Sequence, residues 1–94
     1  PQYPATRRDV AVVVDEGVRW ADVEKAIRQE ALPVLESVEF LSVYRGDPVP
    51  EGRKSLAFSL TFRRGDRTIT AAEAEEARRA VLAALERRVG AVLR

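Results

Sequence analysis

The sequence contains no cysteine, histidine, methionine or asparagine. Each absence removes chemistry. Thiolate and imidazole metal sites and iron–sulfur ligation are excluded, as are nucleophile arrangements of the Ser-His-Asp and Cys-His kinds. Without cysteine there is no disulfide framework, which suits a cytoplasmic protein. No apolar run approaches the ~20 residues of a membrane span, and the opening "PQYPATRRD" lacks the apolar centre of a signal peptide. The expectation is a soluble domain with neither catalytic residues nor a metal site of its own. Its 94 residues suit one domain, burying roughly 60–65% of the unfolded chain's surface around a single core. Because it begins at proline and has no methionine, 1–94 is expected to be a piece of a longer chain.

Charge, by contrast, is plentiful and unevenly placed. Fourteen arginines and two lysines stand against fifteen acids, for a formal net charge of +1. Residues 16–39 hold six acids and three bases, whereas residues 45–67 hold six bases and three acids, −3 against +3. A molecule with one basic half approaches a polyanion in a preferred orientation even when its total charge is near zero. From charge alone, solvated faces of an arginine-rich protein are the better account of the same counts.

The order of elements is legible from periodicity. "RRDVAVVVD" (7–15) is β-branched and runs into a turn, so it reads as a strand. From Trp20 to Leu32 the apolar positions Trp20, Val23, Ile27 and Ala31 recur at helical spacing, and Pro33 closes the segment. Trp20 itself reads as a local packing residue. "LESVEFLSVY" (35–44) returns to strand chemistry, and in "SLAFSLTF" (55–62) Leu56, Phe58, Leu60 and Phe62 alternate onto one face, so the two predict an antiparallel hairpin. Thr70 and Glu73 form a capping box ahead of an apolar stripe, Ala74 through Val89, that ends at Gly90. "AVLR" supplies a short last strand. The order βαββαβ with right-handed crossovers predicts an α+β ferredoxin-like sandwich, a four-stranded antiparallel sheet with both helices on one face.

Such a sheet has one uncovered face. With the bulky set of the third strand turned to the helices, Ser55, Ala57, Ser59, Thr61 and Arg63 lie on the open side. In the second strand the matching register buries Leu41 and Val43 and turns Ser42 and Tyr44 outward; the other register buries Phe40 and Tyr44. The loop 45–54 between the strands carries two Gly, two Pro and three bases, more than the two to five residues a hairpin needs. Small residues, one aromatic platform and flanking bases suit single-stranded nucleic acid. A base can stack on Tyr44, the hydroxyls of Ser42, Ser55 and Ser59 can meet its edge, and Arg45, Arg53 and Lys54 can meet phosphates at the rim. The same face could equally pack on another domain. Asp9 with Asp15, and Glu73 with Glu75 and Glu76, read as exposed carboxylates without a metal or catalytic role. Acyl phosphate hydrolysis on this fold would need an amide side chain beside an arginine cradle, and asparagine is absent.

The segments "YPATRRDVAVVVD", "YRGDPVPEGRKSLAFSLTFR" and "RTITAAEAEEARRAVLAALERRVGAVLR" together resemble the ferredoxin-fold anticodon-binding domain that closes the β chain of bacterial phenylalanyl-tRNA synthetases. The resemblance spans essentially the whole chain and is most specific over residues 44–58. It implies a tRNA-binding module of an (αβ)2 ligase that grips the anticodon stem-loop of phenylalanine tRNA. Aminoacylation with ATP and Mg2+ would lie on the α chain, with no cofactor in this domain. Tyr44 and Ser55 stand where the resemblance places a motif Tyr and a Ser. Ser42 stands where it places an Asp, and a hydroxyl cannot accept from paired base donors as a carboxylate does. The rival reading is a regulatory or protein-interaction module that binds a partner or a small metabolite on its open face.

Overall fold

The structure, a computed structural model, describes residues 3–94. Six elements follow one another: β1 (Thr6–Asp15), α1 (Trp20–Gln29), β2 (Leu35–Tyr44), β3 (Arg53–Phe62), α2 (Ala71–Val89) and β4 (Val92–Leu93). The strands form one antiparallel sheet in the order β2-β3-β1-β4. This is the ferredoxin-like sandwich that the periodicity predicts.

Alternation decides what the sheet buries. Val10, Val12 and Val14 of β1 and Leu56, Phe58, Leu60 and Phe62 of β3 point to the helices and are buried. Val23, Ala26 and Ile27 of α1 and Ala74, Ala77, Val81 and Leu85 of α2 close over them. Trp20 lies 5.4 Å from Phe40 and 5.6 Å from Phe58 between ring centroids, the packing role expected of it.

The ends of the helices follow from local chemistry. In α2, Thr70 Oγ1 accepts from the Glu73 amide at 3.1 Å and the Glu73 carboxylate accepts from the Thr70 amide at 3.0 Å, so the capping box is reciprocal. At the other end Gly90 takes the left-handed φ of 68° that lets its amide reach Glu86 O. The first helix stops earlier than its apolar stripe predicts. Pro33 disfavours helical geometry at the residue before it, and Ala31 turns out at φ 50°. Leu32 still packs on the core from that turn.

In the second strand the register that turns Ser42 and Tyr44 outward and Val43 inward holds, and it fails at Leu41. The pairing of β2 with β3 shifts between Phe40 and Ser42, which leaves Leu41 in a bulge. Phe40 opposite Phe58 and Val43 opposite Leu56 therefore share the helix side, while Ser42 opposite Ala57 and Tyr44 opposite Ser55 share the open side. Leu41 is not buried, and Phe40 and Val43 stay partly exposed because β2 is an edge of the sheet.

Candidate nucleic-acid interface

The open face is laid out in rows across β2, β3 and β1, because cross-strand partners point to the same side. Tyr44, Ser55 and Val13 make one row; Ser42, Ala57 and Ala11 make the next; Glu39, Ser59 and Asp9 make the third. Neither helix covers them. The middle row is a floor of small side chains, and the first carries the aromatic.

Tyr44 is 44% exposed, as a platform must be. Its hydroxyl donates to Asp47 O at 2.6 Å, which ties the ring to the following loop. The loop is ordered by its own contacts: the Val49 amide donates to Gly46 O at 2.8 Å, and the Val49 side chain is buried. Gly46 has φ 102°, and a Cβ built on it would stand 3.9 Å from the Tyr44 hydroxyl. The length and stiffness of this connection thus serve to hold the tyrosine.

A residue outside the sequence-predicted set completes the platform. The Arg94 amide donates to Ala11 O at 3.0 Å, which puts its side chain on the open face beside the small floor. Its guanidinium crosses that floor, lies 4.9 Å from the Tyr44 ring centroid and donates to Ser55 Oγ at 3.2 Å. The signal was present in the sequence. Alternation through "AVLR" sets Arg94 on the same face as Ala11, although no local pattern tells how far across the sheet it reaches.

The predicted rim is placed differently from expectation. Lys54 alternates to the helix side, is 8% exposed, and donates from Nζ to Glu16 O at 2.9 Å. It is a buried lysine closing the end of β1, and it does not stand at the rim. Arg45 holds Glu16 in a fork, its Nε 3.0 Å from each carboxylate oxygen. That fork draws the Glu16 carboxyl below its ordinary range and raises the Arg45 guanidinium. Arg53 pairs with Asp15 at 3.1 Å and donates to Val13 O at 3.3 Å. Arg53 alternates onto the open side with Ser55, Arg45 follows Tyr44 at the end of β2, and each is already bound to a carboxylate.

The serines divide likewise. Ser42 is exposed, whereas Ser55 and Ser59 are 2% and 3% exposed. Ser55 meets Arg94 as described. Ser59 Oγ stands near enough to Asp9, followed in effect by Arg7, to hold that carboxyl below its ordinary value, yet no partner meets the hydroxyl at full hydrogen-bond geometry.

Comparison with known proteins fits this arrangement. The ferredoxin-fold anticodon binding domain matches residues 1–94. The chain is 50% identical over 94 residues to the phenylalanine–tRNA ligase beta subunit of Anaeromyxobacter dehalogenans (strain 2CP-C), covering all of this chain and 12% of that protein. With the same subunit of Thermobifida fusca (strain YX) it is 51% identical over 92 residues, 98% of this chain and 11% of the relative. With that of Geobacillus kaustophilus (strain HTA426) it is 44% identical over 94 residues, again all of this chain and 12% of the relative. The chain therefore spans about 12% of the length of the curated relatives it matches. An uncovered four-stranded face on a βαββαβ frame and a match from end to end agree: the chain belongs to the ferredoxin-fold anticodon-binding domain family.

Proposed function

We propose that this domain grips the anticodon stem-loop of phenylalanine tRNA as a module of the β chain of a cytoplasmic (αβ)2 phenylalanine–tRNA ligase. In this reading the rest of the β chain and the α subunit are its protein partners. Amino-acid activation with ATP and Mg2+ takes place in other domains. The observation that carries the reading is the Tyr44–Arg94 stack above the small floor of Ser42, Ala57 and Ala11.

A loop base replaces the guanidinium on the ring. Base–aromatic stacking is worth ~1–3 kcal/mol, against ~0.5–1 kcal/mol for an exposed cation–π pair. Arg94 then turns its fork of donors to acceptors on the base edge, the geometry in which arginine reads N7 and O6. Ser42 and Ser55 offer single hydrogen bonds from the floor. Arg45 and Arg53 exchange carboxylate for phosphate, a step that keeps each guanidinium paired throughout.

Titration of the 94-residue protein with the phenylalanine tRNA stem-loop and with a scrambled loop tests this. Preferential binding of the cognate loop, weakened by Arg94→Ala, is the expected result. Equal affinity for both loops, or salt-insensitive dimerisation in place of RNA binding, would count against it. The pure protein should show no ATP–pyrophosphate exchange.

A further inference from the structure

The carboxylates of the open face are not alike. Asp9 is bonded to Arg7 at 3.1 Å, Asp15 to Arg53 at 3.1 Å, and Glu36 at the far end to Arg63 at 2.8 Å. Glu39 is exposed and, among the described residues, has neither an ion pair nor a hydrogen bond. It stands directly opposite Ser59, the buried serine whose hydroxyl lacks a partner at hydrogen-bond geometry. A buried polar group without a partner at full geometry is uncommon; the Ser59 hydroxyl lies near Asp9 on one side, and its strand neighbour on the other, Glu39, is an acceptor-only side chain with free lone pairs. On a face that receives RNA, a free carboxylate repels phosphate unless something donates to it. The N–H donors of a nucleobase edge are the groups that do so without bringing charge.

We infer that Glu39, with Ser59 beside it, forms a second base subsite that takes an amino-bearing base edge. It rests on the anticodon-loop reading above. Ser59 lies four residue steps along β3 from Ser55, about 14 Å at ~3.4 Å per residue. That span is too long for the base on Tyr44 and suits another nucleotide of the same loop, lying over the small floor. Asp9, the other carboxylate of this row, is already engaged by Arg7 and by the Ser59 hydroxyl beside it, which leaves Glu39 as the carboxylate of the row without a cation. Guanine offers N1–H and N2–H together to the carboxylate, and adenine or cytosine offers an exocyclic amino group. Uracil turns carbonyl oxygens to the carboxylate on both flanks of its one N–H and is rejected.

The test uses stem-loops in which each loop base in turn loses its exocyclic amino group, inosine for guanosine and purine riboside for adenosine. Their affinities are read by fluorescence anisotropy at fixed salt for wild type, Glu39→Gln, Ser59→Ala and Tyr44→Ala, each shown by melting to be folded. At one loop position the wild type should lose about tenfold on removal of the amino group, and Glu39→Gln should lose less than about twofold. Ser59→Ala should show an intermediate loss of that preference. If Glu39→Gln instead strengthens binding to every loop equally and keeps the amino preference, Glu39 is only a repelling charge and the subsite does not exist. The two readings separate in the same data. Weakened binding by Tyr44→Ala with unchanged selectivity in Glu39→Gln removes the subsite alone, whereas no stem-loop binding, or wild-type binding by Tyr44→Ala, removes both.

Discussion

A lysine meets phosphate only if its ammonium reaches solvent, and at Lys54 one step of strand register decides that it does not. Its Nζ is committed to Glu16 O, and its stem lies on the helix side of β3. Lys54→Ala should therefore lower the melting temperature by several degrees and leave the log-log salt slope of RNA binding unchanged; a slope reduced by ~0.7 with the fold intact would restore it to the rim. Tyr44 predicts the opposite pair of outcomes. Truncating an exposed platform costs little stability, so Tyr44→Ala should melt within a few degrees of wild type while stem-loop binding falls roughly ten- to a hundredfold, the ~1–3 kcal/mol of a stacked base. Tyr44→Phe keeps the ring but gives up the 2.6 Å bond to Asp47 O, so most binding survives with a stability loss of about 0.5 kcal/mol, no larger than that of Tyr44→Ala. Phe58→Ala, on the buried side of β3, should cost ~3–5 kcal/mol. Thermal melts beside anisotropy titrations separate these four variants.

At the scale of elements, the second helix shows how far local chemistry reaches. Its start, face and end were all legible, because a capping box, a 3.6-residue stripe and a glycine stop act within a few residues of one another. The same box has an electrostatic consequence. Two nearby guanidinium groups serve Glu73: Arg67 Nη1 lies 2.6 Å and Arg64 Nη1 3.2 Å from its carboxylate. Arg67 first, and then the Thr70 amide, hold its carboxyl down to about 2 from an ordinary 4.5. A depressed folded-state pKa gives stability that is present above the unfolded value and lost as pH falls. The stability difference between wild type and Glu73→Gln should thus be constant above about pH 5.5 and shrink between pH 4.5 and 2, as followed by denaturant titration at each pH. A difference that does not change with pH would mean that Glu73 caps by shape alone. In the second strand the outward Ser42 and Tyr44 were legible and the bulge at Leu41 was not, because it answers to the partner strand and to Trp20, both distant in sequence. The exit from α1 was half legible: Pro33 marked it, but the left-handed Ala31 did not show.

Over the whole molecule, the sequence sets −3 in residues 16–39 against +3 in residues 45–67, and folding brings the two halves into contact. Glu16 meets Arg45 across 29 positions, and Glu36 meets Arg63 across 27. The segregated charge therefore closes partly on itself, which counting along the chain could not reveal. A polyanion approaching the open face must compete with Glu16 for Arg45, and the strength of that competition sets the salt response. Removing the competitor isolates it. Exposed ion pairs contribute little to stability, so Glu16→Gln should leave the melting temperature nearly unchanged. Binding of the stem-loop at low salt should strengthen, because phosphate no longer displaces a carboxylate. If Arg45 contacts phosphate only once freed, the log-log salt slope should also steepen by ~0.7, the increment of one single-strand phosphate contact. Adding Arg45→Ala to that variant should cancel both gains, whereas Arg28→Ala, paired with Glu24 in the acidic half, should cancel neither. Should Glu16→Gln weaken the RNA complex, or Arg28→Ala match Arg45→Ala, the polyanion does not approach over this edge. The basic loop would then serve to hold Tyr44 and nothing more.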